Sequence, residues 1–177
     1  MITLIASVTV NPLEPDKKYI GDGDNLVVRL SPDMIQFKKY TMGHPLIMGH
    51  NTFNSVGPLE GRKIYVLSRK NIEYVGEGNV EFVDRVDFEK MAKTDIEFIV
   101  CGGSQIYEMA IPYANKLRIT WVETEPTTDY IGDKFFPDWN KYGTWRMETQ
   151  GETIRPVPSK NRIKVDNYRI IDFYRVS

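Results

Sequence analysis

Phe98-Ile99-Val100-Cys101-Gly102-Gly103-Ser104-Gln105-Ile106-Tyr107 is the stretch that decides the fold. A short apolar run, two glycines and a renewed apolar pattern at helical spacing read as strand, turn and helix. The pattern predicts a strand over Glu97–Cys101 and a helix over Ser104–Ala110. Two glycines after a buried strand let a phosphate approach the backbone, and the first turn of the helix aims free N–H groups and its dipole at an anion. Read alone, the segment is equally an ordinary strand-to-helix turn. The dinucleotide fingerprint G-x-G-x-x-G does not occur there. Gly21-Asp22-Gly23-Asp24-Asn25-Leu26 mimics only its first half, and no P-loop pattern is present.

The same alternation continues outward. Ile2–Val10 is almost continuously apolar and rich in β-branched residues, which predicts a buried strand. Ser31-Pro32-Asp33 opens a helix, with Ser31 as N-cap and Pro32 in the first helical position, and the helix ends near Gly43. Further strands are expected at Pro45–Gly49, Lys63–Leu67, Val80–Val83, Lys116–Val122, Trp145–Thr149 and Tyr168–Val176. Short helices are expected at Asn51–Ser55 and at Val86–Lys93, the latter capped near Asp84. Strands alternating with helices argue for an α/β domain with a mainly parallel sheet. The tail after about Thr144 lacks helical periodicity and reads as an antiparallel hairpin on the sheet edge.

A length of 177 residues suits one domain, here residues 1–177. The net charge of −1 gives no reason to expect nucleic acid or an anionic membrane as partner. One cysteine and two histidines leave too few ligands for a Cys/His zinc site, so no metal is expected. The N-terminal MITLIASVTV has neither the basic flank of a secretory signal nor the length of a membrane span, which fits a cytoplasmic protein.

Two further strand ends are friendly to anions. Met48-Gly49-His50-Asn51-Thr52 offers backbone N–H groups and a hydroxyl, and Leu67-Ser68-Arg69 adds a cation. Three such ends suit a ligand with several phosphates lying across the carboxyl edge of a parallel sheet. Asp33 falls in the first turn of its helix with Phe37 one turn on, on the same face. An acid there commonly just complements the helix dipole. A carboxylate beside an aromatic wall can also hold a flat amino-heterocycle through two parallel hydrogen bonds. Arg62, after Gly57-Pro58-Leu59-Glu60-Gly61, has the planar fork that grips a carboxylate.

Together these pieces resemble dihydrofolate reductase over essentially the whole chain. The likeness rests on Met1-Ile2-Thr3-Leu4-Ile5-Ala6, Ile20-Gly21, Leu30-Ser31-Pro32-Asp33-Met34-Ile35-Gln36-Phe37-Lys38, Pro45 through Lys63, Val66-Leu67-Ser68-Arg69, Val100 through Tyr107, Leu117-Arg118-Ile119-Thr120 and Asp133 through Asp138, in that order. The resemblance implies an eight-stranded, mainly parallel sheet with an antiparallel C-terminal hairpin and about four flanking helices. It implies hydride transfer from NADPH to C6 of 7,8-dihydrofolate, with N5 protonated through water, by a monomeric enzyme. Asp33 is then the carboxylate that orients the pterin. Ile5, Met34, Phe37, Lys38, Ser55, Val56 and Leu59 line the substrate pocket, Arg62 binds the glutamate α-carboxylate, and Thr120 supports Asp33. Ser7, Ile20 and Gly21 meet the nicotinamide. Gly49, His50, Asn51 and Thr52, with Cys101, Gly102, Gly103, Ser104, Gln105, Ile106 and Tyr107, hold the phosphates. Ser68 and Arg69 take the 2′-phosphate.

The chain departs from that pattern in places. Val28 stands where the family commonly carries a tryptophan, and the preceding loop is longer and more charged. Slower turnover and altered response to 2,4-diaminopyrimidines are the expected consequences, and Val28→Trp is the corresponding test. His50 and Gln105 replace frequent arginines, which leaves Arg69 as the main selector of NADPH over NADH. The rival readings are a pyrimidine reductase of the riboflavin pathway and a binding protein that kept the fold and lost catalysis.

Overall fold

A computed structural model describes residues 1–70, 72–76, 78–154 and 161–176. Its centre is β1 (Ile2–Val10), which pairs in parallel with β6 (Phe98–Val100) on one side and β7 (Lys116–Thr124) on the other. Beyond β6 lie β3 (Leu46–Gly49), β4 (Ile64–Leu67) and β5 (Val80–Val83), all parallel. Beyond β7 lie β10 (Val165–Arg175) and β9 (Trp145–Ile154), each antiparallel to its neighbour. The order is β5-β4-β3-β6-β1-β7-β10-β9, the eight strands and C-terminal hairpin that the resemblance implies, within a sheet of ten. Two short strands were not foreseen. β2 (Tyr19–Gly21) pairs with β1 and with β8 (Lys134–Phe135), and strands this short carry no readable alternation.

Four α-helices flank the sheet among the described residues: α1 (Ser31–Thr41), α2 (His50–Val56), α3 (Phe88–Ala92) and α4 (Ser104–Ala110). Two expected caps move. Ser31 is not the N-cap of α1: Leu30 is, in extended conformation, and Met34 N–H donates to its carbonyl at 3.1 Å. Pro32 keeps its place in the first turn because a missing N–H costs nothing there. The helix near residue 90 spans only Phe88–Ala92, and its cap is Asp87, which accepts from Lys90 N–H at 2.9 Å, rather than Asp84.

Period-two alternation along β1 builds two layers. Ile2, Leu4, Ala6, Val8 and Val10 join Ile106, Tyr107, Leu117 and Ile119 on the α3/α4 side. Leu46, Met48, Phe53, Ile64, Val66 and Ile99 form the second core under α2, with Ile5 and Tyr40 packed against it. The α1 side of β1 is different. It carries Thr3, half-buried Ile5 and Ser7, and Thr9. A helix laid over that polar row keeps a site for chemistry above the strand instead of a dry interface.

Candidate active site

Asp33 is the third residue of α1, and α1 crosses the polar side of the sheet. Thr120 on β7 donates a hydrogen bond to its carboxylate Oδ1. Burial raises the Asp33 pKa above its usual 3.8, while the Thr120 hydroxyl and the Arg118 charge oppose that rise. Asp33 itself is half-buried, so its other oxygen remains available to a ligand. A carboxylate fixed on one edge and open on the other can accept two parallel N–H donors from a planar heterocycle.

The surroundings fit an apolar ring. Phe37, one turn after Asp33, is half-buried, and Ile5 and Leu59 are half-buried against the second core. Met34 and Val56 stay exposed at 48% and 45%, an apolar rim with no protein against it. Lys38 and Ser55 are also exposed. Ser55 Oγ donates to the Asp24 carbonyl at 3.0 Å, which draws the loop over residues 22–26 towards α2. Asp24, Asn51, Asn54 and Ser55 line a cavity of about 500 Å³ between them. Asn51 and Ser55 are among the residues expected to meet a ligand; Asp24 and Asn54 are not.

Arg62 is buried at 6% exposure and held in place. Its Nε donates to the Glu60 carbonyl at 3.0 Å and its Nη1 to Thr41 Oγ1 at 3.1 Å. Among the described residues its Nη2 has no partner, so one prong of the fork is free for an incoming carboxylate.

The two glycine turns meet at the carboxyl edge. Gly49 N–H donates to the Gly102 carbonyl at 2.8 Å. A Cβ on Gly49 would come within 3.1 Å of Ile106, and one on Gly103 within 3.3 Å of Thr52 Oγ1, so a side chain at either position would crowd the cradle and push its neighbour aside. Gly102 has φ +113, which favours glycine independently. Ser104 Oγ is buried there without a hydrogen-bond partner. An orphaned hydroxyl and two Cβ-free walls beside unpaired first-turn N–H groups suit phosphate oxygens.

Other expected contacts stand differently. Tyr107 is 4% exposed and its hydroxyl donates to the Ile5 carbonyl at 2.7 Å, so its polar end braces β1. Ile106 is buried under Gly49. Cys101 N–H is committed to the Ile47 carbonyl, and burial pushes its thiol up to about 12, leaving it a neutral packing group. Ile20 packs on the first core, and Gly21 is closed in by Asn25 and Lys134. Half-buried His50 sets its ring edge-on to Phe82 at 5.4 Å, and exposed Gln105 stands in the first turn of α4. Ser68 is buried and accepts from Lys70 N–H at 3.2 Å, while Arg69 is exposed just after β4.

Val28, at the position where the family commonly carries a tryptophan, faces inward. It is 3% exposed and packed with Leu30, Val122 and Tyr168.

Sequence comparison bears on the same geometry. The family described as dihydrofolate reductase matches residues 1–169. The chain belongs to the dihydrofolate reductase family. It is 34% identical over 163 residues to the dihydrofolate reductase type 3 of Salmonella typhimurium, covering 91% of each chain. It is 34% identical over 168 residues to the dihydrofolate reductase of Haemophilus influenzae, covering 90% of this chain and 91% of that one. It is 37% identical over 134 residues to the Mycobacterium tuberculosis dihydrofolate reductase, covering 73% and 78%. Membership accounts for the order of motifs around Asp33, and it makes the chain an oxidoreductase. The described residues include no helix long and apolar enough to cross a membrane.

What sequence reasoning missed is a charged layer under α1, formed by Arg118, Asp172, Lys116, Tyr40 and Glu97. The signal was present as alternation: Lys116, Arg118 and Thr120 must share one face of β7.

Proposed function

We propose that this protein reduces 7,8-dihydrofolate to 5,6,7,8-tetrahydrofolate with NADPH as the hydride source, acting as a cytoplasmic, single-domain monomer. The observation that carries the reading is Asp33, half-buried in the first turn of α1 and tied to Thr120 on β7. In this reading Asp33 accepts two N–H groups from the amino-pyrimidine edge of the pterin. Its charge favours the protonated ring, which is the better hydride acceptor. N5 lies at the far edge of the ring, so its proton arrives through water. Ile5, Met34, Phe37, Val56 and Leu59 exclude solvent from the ring faces, and Ser55 and Lys38 stand at the rim. The free prong of Arg62 takes the glutamate α-carboxylate.

When bound, NADPH supplies the hydride. Gly49, Thr52, Gly102, Gly103 and Ser104 would hold its phosphates, with the first-turn N–H groups of His50, Asn51 and Gln105. Cys101, Ile106 and Tyr107 would support that cradle from beneath. Ser68 and Arg69 would take the 2′-phosphate, and Ser7, Ile20 and Gly21 would meet the nicotinamide. The protein's share of the rate is proximity, orientation and charge.

The test is oxidation of NADPH by purified protein on adding dihydrofolate. We expect turnover in the wild type and a loss of roughly 10²-fold or more in kcat/KM for Asp33→Asn. Binding of both ligands without turnover would support the catalytically silent reading instead. Turnover of a ribosylamino-pyrimidine in preference to dihydrofolate would support the riboflavin-pathway reading.

A further inference from the structure

The charged layer beneath α1 has one member placed to act on Asp33. Arg118 and Thr120 lie two positions apart on the same face of β7, about 7 Å along the strand. Thr120 holds the Asp33 carboxylate. Arg118 Nη1 donates to both oxygens of Asp172 on β10, at 3.1 and 3.0 Å. Its guanidinium carbon lies 4.4 Å from the ring centroid of Tyr40, which sits on α1 two turns after Asp33. Tyr40 is fixed in turn: its hydroxyl donates to Glu97 at 2.9 Å, and Thr3 donates to the same oxygen at 2.6 Å. Arg118 is therefore clamped between strand and helix.

Two cations, Lys116 and Arg118, share this layer with two carboxylates, Asp172 and Glu97. Asp172, 1% exposed, takes both cations, Lys116 at 2.9 Å and Arg118 at 3.0 Å. Glu97 lies at the far end, where it accepts the Tyr40 and Thr3 hydroxyls and stands 4.0 Å from His44. The other titratable groups facing the layer are Asp33 and Tyr40 from α1, Tyr168 and Tyr174 from β10, and Arg146 from β9, stacked on Tyr174. Asp33 is the carboxylate at the other end, held by Thr120 two positions from Arg118 on the same face of β7.

We propose that Arg118 is a positioning residue: pinned by Asp172 and Tyr40, its fixed charge keeps Asp33 in the anionic form that grips the substrate and so sets the pH range of turnover. The inference rests on the folate reading for the identity of the substrate. The electrostatics agree, since the Arg118 charge opposes the rise that burial imposes on Asp33. Arg118 touches no reacting atom; it acts through Asp33.

The test compares Arg118→Met, Arg118→Gln and Arg118→Lys. The primary readout is the carboxyl-carbon NMR titration of Asp33 in ligand-free protein, with the pH profile of kcat/KM and the melting temperature alongside. Removing an opposite charge raises a carboxylate pKa, so Met and Gln should raise the Asp33 midpoint by about 0.5–1 pH unit. The limb of the pH profile that follows Asp33 should move the same way. Lys, which keeps the charge, should restore both. A structural role alone would lower the melting temperature and leave the midpoint in place, and that result overturns the proposal. Gln retains a hydrogen bond to Asp172 and Met the apolar contact with Tyr40, so the two variants stress the fold differently. Should neither fold, the wild type decides: an Asp33 midpoint near or above neutrality overturns the proposal, because the carboxylate would then not be held as an anion. Wild-type protein that fails to turn over dihydrofolate sinks the folate reading, and the titration still reads Arg118 separately.

Discussion

Asp33 is chemically useful because it is partly withdrawn from water, and the same withdrawal makes it a burden on stability. Burial raises its folded-state pKa above the unfolded value. The folded state therefore binds a proton more readily, and stability falls as pH rises through the folded pKa. The penalty is complete above that pKa and absent below the unfolded value of 3.8. Asp33→Asn should thus melt roughly 2–4 °C higher than wild type at neutral pH, with no advantage in strong acid, while losing activity. Thermal melts at both pH values check the sign. Arg62 shows the complementary case, a cation whose geometry matters more than its charge. Two of its nitrogens are committed to Glu60 and Thr41, so only a guanidinium keeps a third nitrogen for the proposed carboxylate contact. Arg62→Lys should raise KM for dihydrofolate about 10-fold with little change in kcat, measured in steady-state assays. Local sequence favoured a mere dipole-complementing role for Asp33; the neighbouring motifs argued otherwise, and Thr120 supplies the contact that local sequence lacks.

Elements were legible to the extent that they are periodic. The strand–turn–helix at Phe98–Tyr107, the helix at Ser104–Ala110 and the strand at Val80–Val83 stand where alternation and glycines put them. Caps were less so, because Leu30 and Asp87 act through backbone position and one local hydrogen bond that neighbouring residues could equally supply. The segment before α1 is where element and site meet. Val28 fills a small cluster with Leu30, Val122 and Tyr168, so an indole at that position must displace them. Val28→Trp should cost about 1–3 kcal/mol in denaturant melts and should not speed turnover. At the end of β4, Ser68 is used internally and Arg69 is exposed. Arg69→Ala should raise the Kd for NADPH about 10-fold and leave NADH nearly unchanged, since only one carries the 2′-phosphate; calorimetric titration of both cofactors checks this.

At the scale of the whole molecule, one sheet runs from β5 to β9, and its C-terminal strand fastens the rest. Arg175 on β10 donates through Nε to the Ala114 carbonyl at 2.6 Å, through Nη2 to that of Ile111 at 2.7 Å, and through Nη1 to Tyr142. Arg175→Ala removes the donor to the Ala114 and Tyr142 carbonyls, while that of Ile111 keeps the Ala114 N–H, and should cost about 1–3 kcal/mol. Unfolding should remain one transition, coincident by circular dichroism and tryptophan fluorescence, because the sheet is continuous. The amino-acid sequence by itself determined the succession of strands and helices, the glycine turns at the carboxyl edge and the place of Asp33 in a first helical turn. Those features depend on spacings of two to four residues, which a linear reading captures. Tertiary structure alone decided that Asp172 clamps Arg118 across 54 positions, whereas the meeting of Thr120 with Asp33 across 87 positions was implied by the family resemblance and by no local spacing. It also decided that Val28 turns inward and that β2 and β8 exist at all. Such contacts arise only when distant segments pack, and side chains buried by that packing take partners that nothing in their own neighbourhood specifies.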